Sequence, residues 1–125
     1  MKYKKLISFL PFFITALSVY GQHHFVLKLG EPVSIACSES EDKVVYTALN
    51  LLNRDIESVF STHTSITSKS QKGTIIVGTI GQSKLIDEIG LDLSLIKNKK
   101  EAFLLTVSSN GKLIIAGSDK RGTAY

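Results

Sequence analysis

The sequence contains no tryptophan, one cysteine and two prolines among 125 residues, and each scarcity excludes a class of protein. Two prolines without a low-complexity tract exclude collagen-like and proline-rich chains. A single cysteine excludes an intramolecular disulfide, and the place of Cys37 in the apolar run 33–37 favours a buried, unreactive thiol. With 43% hydrophobic and 21% charged residues, the chain has the composition of one globular domain.

Residues for a metal site, a nucleic-acid interface or a familiar catalytic motif are also missing. His23 and His24 adjoin each other and His63 stands alone, so no ligand spacing typical of a metal site is complete. The lysines within 97–100 form a small solvated cluster rather than the basic patch of a nucleic-acid-binding protein. No G-x-S-x-G elbow is present. We therefore predict no catalytic, substrate-binding or metal-binding residue, no cofactor and no nucleic-acid partner.

Two further chemistries have partial support in the sequence. The stretch GTIG at 78–81, between a predicted strand and a predicted helix, resembles a phosphate-binding turn but lacks the Walker lysine and the third glycine of the dinucleotide fingerprint. We attribute these glycines to tight packing of the turn. Paired carboxylates can hydrolyse a glycoside when a cleft holds them about 5 to 10 Å apart. Most of the candidate pairs are predicted to lie at helix surfaces or ends: Glu39 and Glu41, Asp55 and Glu57, Asp87 and Glu88, Asp92 and Glu101.

The N-terminus has the pattern of a secretory signal peptide. Lys2, Lys4 and Lys5 precede an uncharged run, 6–20, and we predict a signal peptide over 1–21 with cleavage between Gly21 and Gln22. A transmembrane helix is the alternative, but spanning a bilayer needs roughly 20 apolar residues, and this shorter run contains a proline. Once these three lysines are set aside, 12 of the 15 basic residues remain against 11 acidic ones. We expect a periplasmic or secreted protein without a membrane span after cleavage.

Hydrophobic periodicity predicts an α/β fold, bordering on α+β, in which helices pack on a mixed β-sheet. The clearest element is an amphipathic helix from about Glu39 to Phe60, opened by a capping box of Ser38 and Glu41. A two-residue Asn110–Gly111 turn predicts a hairpin in which Val107 faces Ile114 and Leu105 faces Ala116. The other predicted elements are strands at 25–29, 33–37, 64–67 and 74–77, a helix at 82–89 and the start of a last helix at 123–125. We expect residues 22–125 to be one domain, truncated at its C-terminal end before its final helix is complete.

Two stretches carry a family resemblance: TIIVGTIG at 74–81 and LIIAGSDKRGTAY at 113–125. They resemble the N-terminal region of glycoside hydrolase family 115, the xylan α-1,2-glucuronidases. The second stretch is similar, more loosely, to the domains that precede the barrels of β-hexosaminidases and other α-glucuronidases. The resemblance implies a small α/β domain that precedes a (β/α)₈ barrel, with the acid and base carboxylates on that barrel.

The resemblance implies a non-catalytic N-terminal domain of a secreted glycoside hydrolase that acts on glucuronoxylan. Its partner would be the missing barrel of the same chain, through which the polysaccharide is bound, and the segment alone is expected to be inactive. We name Asp119, Lys120, Arg121 and Tyr125 as the candidates for a contact with that barrel, and a solvated turn capped by the aspartate is the alternative for the first three. Two other functions stay open at this point: a free-standing exported module that binds carbohydrate or protein, and a small independent hydrolase.

Overall fold

Five strands and three α-helices follow one another along residues 23–125, the part of the chain that this computed structural model describes. The predicted signal peptide, 1–21, lies outside the described residues and stays a prediction. None of the helices in the described part is long and apolar enough to cross a membrane.

The elements run in the order expected for an α/β fold, and their bounds are as follows. The strands are β1 Val33–Cys37, β2 Thr64–Thr67, β3 Ile75–Thr79, β4 Phe103–Val107 and β5 Leu113–Gly117. The helices are α1 Lys43–Phe60, α2 Lys84–Asp87 and α3 Lys120–Ala124, and a 3₁₀ turn occupies Ser70–Lys72.

The strands form one mixed sheet in the order β2-β1-β3-β5-β4. Three neighbouring pairs are parallel, and β4 alone runs antiparallel, beside β5 at one edge of the sheet. The predicted edge strand at 64–67 is confirmed as β2, at the opposite edge. The mixed sheet with packed helices confirms the predicted fold class.

Each face of the sheet carries its own apolar core. The first face buries Ile35, Ile75 and Val77 under Val45 and Leu49 of α1. The second face buries a separate set of side chains under α2 and the loop that follows it: Ala36, Ile76, Ile86, Ile96, Ile114 and Ala116. Burying one aliphatic side chain contributes about 1.5 to 3 kcal/mol, so both layers stabilise the central strands.

Helix α1 begins later than the sequence predicts. Its N-cap is Asp42, whose side chain accepts a hydrogen bond of 3.0 Å from the N–H of Val44. The predicted capping box is therefore wrong, and so is the predicted start near Glu39. The carboxylate of Glu41 is drawn instead towards the end of β3, where it accepts hydrogen bonds from a buried residue. The predicted end of the helix at Phe60 is confirmed.

The hairpin of β4 and β5 forms as predicted, but its register differs by one residue. Val107 pairs with Leu113, and Leu105 pairs with Ile115. The turn has three loop residues, 109–111, because the N–H of Gly111 bonds to the carbonyl of Ser108 at 2.9 Å and Gly111 adopts a φ of +79°. A three-residue loop that ends in a left-handed glycine is the second common solution for a hairpin. The one-residue shift places Leu105 on the same face as Ile115, the face that α1 covers elsewhere.

Four other predicted elements differ from the structure, and one of them is the last helix, which begins at Lys120 rather than near residue 123. Residues 25–29 are not a strand: Phe25 and Leu27 pack against the α1-side core without pairing to a neighbouring strand. The helix predicted at 82–89 is confined to Lys84–Asp87, although Ile86 points into the core as the periodicity indicates. The third strand extends past its predicted end at Val77 to Thr79.

Candidate functional site

The carboxyl ends of the parallel strands are the place where sheets of this kind bind ligands. In the order β2-β1-β3-β5-β4, successive strands are added first to one side of β1 and then to the other, which opens a crevice beyond the ends of β1 and β3. The loops that border this crevice are 38–42, after β1, and 80–83, after β3. The contents of the crevice therefore decide whether it can bind a ligand.

Glu41 fills the crevice with a carboxylate that is bonded within the protein. Its Oε1 accepts the backbone N–H of Thr79 at 2.6 Å, and its Oε2 accepts the Thr79 hydroxyl at 2.8 Å. The Thr79 hydroxyl lies 2.7 Å from that of Thr123, which in turn lies 2.9 Å from the carbonyl oxygen of Asp119. All three side chains are buried, so the network joins the loop after β1, the end of β3 and the start of α3.

Hydrogen bonds across the crevice mouth join the same two loops. The Ser40 hydroxyl donates to the carbonyl of Gln82 at 3.0 Å, and the Gln82 side-chain amide donates back to the carbonyl of Ser40 at 3.1 Å. This reciprocal pair holds the loops together where a ligand would enter. The crevice is a structural junction rather than an open site.

The backbone N–H groups of the GTIG turn bond within the protein. Ile80 donates to the carbonyl of Gly117 at 2.9 Å, Gly81 donates to the Asp87 carboxylate at 3.1 Å, and Ser83 donates to the carbonyl of Thr79 at 2.8 Å. A phosphate would need these N–H groups to be free. A Cβ atom at Gly78 would lie 2.5 Å from the Cβ of Ser83, so tight packing explains this glycine as predicted.

Cys37 lies at the end of β1 beside this junction. The side chain is buried, and burial is the main cause that raises the pKa of its thiol to about 11; the nearby Glu41 carboxylate adds to the effect. Because the thiolate is the reactive form, this environment does not activate a nucleophile. Tyr46, whose hydroxyl donates to the carbonyl of Ser38 at 3.0 Å, has its own pKa raised by burial.

The four residues named for an inter-domain contact lie together at the start and end of α3. Asp119 is the N-cap of α3: it accepts the N–H groups of Arg121 at 3.0 Å and Gly122 at 2.8 Å, and that of Glu101 at 2.9 Å. These N–H donors, the one from Glu101 first, lower the pKa of its carboxyl. The structure thus gives the aspartate its capping role, whereas the contact with another domain stays a prediction.

The two basic side chains of this group form ion pairs within the chain. Lys120 lies 3.2 Å from the Asp42 carboxylate, and Arg121 lies 2.8 Å from the Glu101 carboxylate. Both pairs are largely exposed to solvent, and exposed pairs contribute little to stability. Tyr125, by contrast, presents an aromatic ring that is 75% exposed.

Several of the carboxylates considered for glycoside hydrolysis accept hydrogen bonds within the protein. Glu57 accepts both the N–H and the hydroxyl of Thr64, which lowers its pKa, and Asp92 accepts from Ser94. Three clefts in the described part of the chain have no more than one carboxylate each in their lining. Nor do the described residues contain a group of three or more His, Cys, Asp or Glu side chains placed to hold a metal ion.

An apolar groove of about 410 Å³ lies between α1 and β4, and we call it the α1–β4 groove. Leu51 of α1 forms one wall, Leu105 and Phe103 of β4 form the other, and Ile115 contributes to the lining between them. The three wall residues are more than half exposed, at 55%, 58% and 51% in that order. Tyr125 lines the groove at the end of α3. Single exposed leucines are ordinary, but a contiguous apolar groove marks a surface that contacts another element.

A comparison with solved structures shows which protein family this chain is similar to. One solved structure that matches is a family GH115 4-O-methyl-α-glucuronidase with specificity for decorated arabinogalactans. The two chains are 58% identical, the match covers 81% of this chain, and the TM-score is 0.77. The resemblance to glycoside hydrolase family 115 is confirmed. A scan against protein-family models and a search of curated proteins gave no match.

The match to the family 115 enzyme covers 13% of that enzyme's own length. The chain is thus similar to a minor part of a glycoside hydrolase, which fits a non-catalytic N-terminal part. Over the matched part the two chains share the fold, and the rest of the enzyme lies outside the comparison.

Two features of this family 115 segment were missed at the level of sequence. Glu41 was assigned to a helix cap, although a carboxylate and a threonine at the carboxyl ends of adjacent strands were the available signal for the Glu41–Thr79 contact. Helix periodicity does not predict the α1–β4 groove, because it does not show that Leu51 of α1 is left exposed. The hairpin register, which decides the face of Leu105, depends on one residue of turn length.

Proposed function

We propose that this chain is the N-terminal, non-catalytic domain of a longer, exported α-glucuronidase that removes 4-O-methylglucuronic acid from decorated arabinogalactan. The single observation that carries the proposal is the 58% identity to a 4-O-methyl-α-glucuronidase with that specificity. Glucuronoxylan, which the family resemblance implies, is the second candidate substrate. Export rests on the predicted signal peptide over 1–21.

Three observations favour a structural role over a catalytic one for the described residues. The crevice at the carboxyl ends of the strands is closed by Glu41, and the N–H groups beside it are bonded internally. The clefts lack a pair of carboxylates. The α1–β4 groove is a contiguous apolar surface, which is suited to packing against protein. The chemistry would then reside in the part of the enzyme beyond this chain.

The proposal is tested first with the coding sequence and then with the enzyme. We expect the reading frame to continue past codon 125, and the purified full-length protein to release 4-O-methylglucuronic acid from arabinogalactan. The 125-residue chain should release none from arabinogalactan or glucuronoxylan. Turnover by the short chain, or a stop codon after Tyr125, would contradict the proposal. Faster release from glucuronoxylan than from arabinogalactan would reverse the order of the two substrates.

A carbohydrate-binding module is the second candidate, because Phe103 and Tyr125 are both exposed in one groove. Aromatic faces can stack on sugar rings, but sugar sites also need convergent polar groups. Asp55 and the buried Thr123 are the polar side chains in the groove lining and the other lining residues are apolar or aromatic, which disfavours this candidate. Calorimetric titration of the chain with arabinogalactan and glucuronoxylan oligosaccharides tests it directly, and Phe103→Ala should abolish any binding that the groove provides.

A further inference from the structure

A cleft of about 550 Å³ lies at the opposite end of the sheet from the Glu41 junction, beside the first residues of β3 and β5, and we call it the hairpin cleft. The 3₁₀ turn before β3, the hairpin turn at 107–112 and the residues 89–91 after α2 surround it. Pockets that bind small molecules have volumes of about 300 to 1,000 Å³. The hairpin cleft is therefore large enough for a small ligand.

The floor of the hairpin cleft is apolar. Ile76 and Ile114 belong to the core on the α2 side of the sheet, and Ile89 and Leu91 pack against that core. In small-molecule sites, apolar surface of this kind contacts the carbon skeleton of the ligand, and a few polar groups fix its orientation. The polar side chains around this floor therefore decide which ligand fits.

Lys112 places a positive charge at the rim of the hairpin cleft. Its Nζ donates to the carbonyl oxygen of Ser70 at 2.6 Å and to that of Gln71 at 3.1 Å. Because an ammonium group has three N–H donors, one donor remains for a further acceptor. The ion pairs among the described residues involve other basic side chains, and the described lining of this cleft contains no aspartate or glutamate. The lysine thus lacks an anionic partner within the described part of the chain.

Two amide side chains add further donors at the rim. The side-chain oxygen of Asn110 accepts the hydroxyl of Ser108, so its NH₂ group is left to donate. Gln71 is exposed beside Lys112, and its backbone carbonyl, not its side-chain amide, bonds to the lysine. The hairpin cleft therefore combines one cation and two amides over an apolar floor, an arrangement suited to a small ligand that carries a carboxylate and other acceptors.

We propose that the hairpin cleft binds a uronic acid, with the sugar carboxylate on Lys112 and the sugar hydroxyls on the amides of Gln71 and Asn110. The carboxylate follows from the unpaired cation. The choice of a sugar acid rests on the proposed function, because the proposed substrate carries 4-O-methylglucuronic acid. The inference deepens that function, since it gives the non-catalytic domain its own contact with the acidic groups of the polysaccharide.

A purely structural role is the competing explanation for Lys112. The two carbonyl oxygens that it binds belong to the 3₁₀ turn, so the side chain also ties the hairpin to that turn. Such a role requires no ligand and no preference for a carboxylate. Binding of a charged sugar and of its neutral analogue therefore distinguishes the two explanations.

Photoaffinity labelling of the full-length enzyme tests the proposal. The probe is a glucuronic acid that carries a diazirine on its anomeric substituent, and peptide mapping assigns each label to a position in the sequence. We expect labels within 70–71 or 107–112, and we expect free glucuronate to suppress them at concentrations at least about tenfold lower than glucose, which lacks the carboxylate. Labels confined to other parts of the enzyme, or equal suppression by glucose, would overturn the proposal.

Substitution of Lys112 tests the role of its charge. Lys112→Met keeps an unbranched apolar stem and removes the ammonium, so we expect labelling of the hairpin cleft to fall at least about tenfold. Lys72→Met is the matched control, because Lys72 is an exposed lysine of the same 3₁₀ turn outside the cleft lining. Its labelling should be unchanged. Undiminished labelling of Lys112→Met, or an equal loss in both variants, contradicts the proposal.

A second variant keeps the test decisive should Lys112→Met fail to fold. Gln71→Glu places a carboxylate beside the ammonium at an exposed position, so it should compete with the ligand and lower labelling by a similar factor. Asn98→Asp makes the same change of charge at an exposed position outside the cleft lining and should leave labelling unchanged. Full labelling of Gln71→Glu would overturn the proposal.

Release of glucuronic acid is measured separately on the same enzyme. An inactive enzyme whose hairpin cleft is labelled would contradict the proposed function and leave the cleft assignment standing. An active enzyme whose cleft stays unlabelled would contradict the cleft assignment alone.

Discussion

Glu41 and Thr79 form two hydrogen bonds through both carboxylate oxygens, at 2.6 Å to the backbone N–H and 2.8 Å to the hydroxyl. The pair spans 38 positions of the sequence and joins the loop before α1 to the end of the central strand β3. Because both residues are buried, neither donor of Thr79 has ready access to water. The contact fills the crevice at the carboxyl ends of the strands, the place where open sheets of this kind bind ligands.

Replacing Glu41 tests the structural importance of this contact. Glu41→Ala leaves the buried N–H of Thr79 without an acceptor and leaves Thr123 as the remaining partner of the Thr79 hydroxyl; an unsatisfied buried donor costs about 1 to 3 kcal/mol. We expect the free energy of unfolding, measured by urea titration of the 125-residue chain, to fall by about 3 kcal/mol. Glu39→Ala, at an exposed position in the same loop, is the matched control and should change stability by less than about 0.5 kcal/mol. Equal stability of the two variants would contradict this account of Glu41.

The buried thiol of Cys37 should be unreactive while the protein is folded. Its pKa is raised from 9.0 to about 11, and this rise reduces the fraction of thiolate at pH 8 by about 100-fold. We expect iodoacetamide to alkylate the folded chain at least that much more slowly than the chain in concentrated urea. Since the unfolded thiol ionises first, the same shift makes the folded state less stable as the pH rises from about 9 towards 11. Cys37→Ala should lack that component of the alkaline decline.

Rapid alkylation of the folded chain at pH 8 would contradict the burial of Cys37. Mass spectrometry of the intact protein counts the added groups, and the single cysteine of the sequence makes the count unambiguous.

The five strands and the main helix were predictable because their signals are local, although the further strand predicted at 25–29 does not form. The run at 33–37 and the apolar stripe of α1 each satisfy one period over several residues, and the structure forms both elements. The start of α1 was not predictable in this way. Ser38 and Glu41 have the spacing of a capping box. Glu41 instead accepts hydrogen bonds from the buried N–H and hydroxyl of Thr79, which is distant in sequence and close in space.

The turn residues predict the position of the hairpin correctly but do not predict its register. Asn110–Gly111 correctly marks the turn, but the loop includes Ser109 as well, because Gly111 takes the left-handed position that ends a three-residue loop. That one residue moves Leu105 from the position opposite Ala116 to the position opposite Ile115. The α1–β4 groove follows from this register, so it was beyond the reach of the sequence pattern.

Asp119 should make stability sensitive to acid. The N–H groups that it accepts lower the pKa of its carboxyl below the ordinary value of 3.8. Its contribution is thus present above about pH 4 and is lost as the pH falls through the lowered pKa. Asp119→Asn keeps a capping acceptor but does not titrate, so the melting temperature should decline less steeply between pH 5 and pH 2, roughly the range of carboxylate protonation.

Asp119→Ala removes the acceptor altogether, and we expect it to lower the melting temperature at neutral pH by more than the asparagine variant does. If the melting temperatures of the original chain and Asp119→Asn declined equally as the pH fell, protonation of Asp119 would not contribute to the loss of stability in acid. Asp42 and Glu57, whose pKa values are also lowered by N–H donors, account for acid sensitivity that remains in both variants.

We expect position 122, the glycine of α3, to tolerate no side chain. A Cβ atom at this position would overlap the carbonyl oxygen of Ala102, which belongs to the backbone and cannot rotate away. We expect Gly122→Ala to lower the free energy of unfolding by more than about 2 kcal/mol. Gly111→Ala is the comparison: its Cβ would meet nothing closer than 3.9 Å, so the cost, about 1 kcal/mol, comes from the positive φ alone. If the hairpin variant proved the less stable of the two in urea titrations, close packing of α3 on the start of β4 would not be the reason for a glycine at 122.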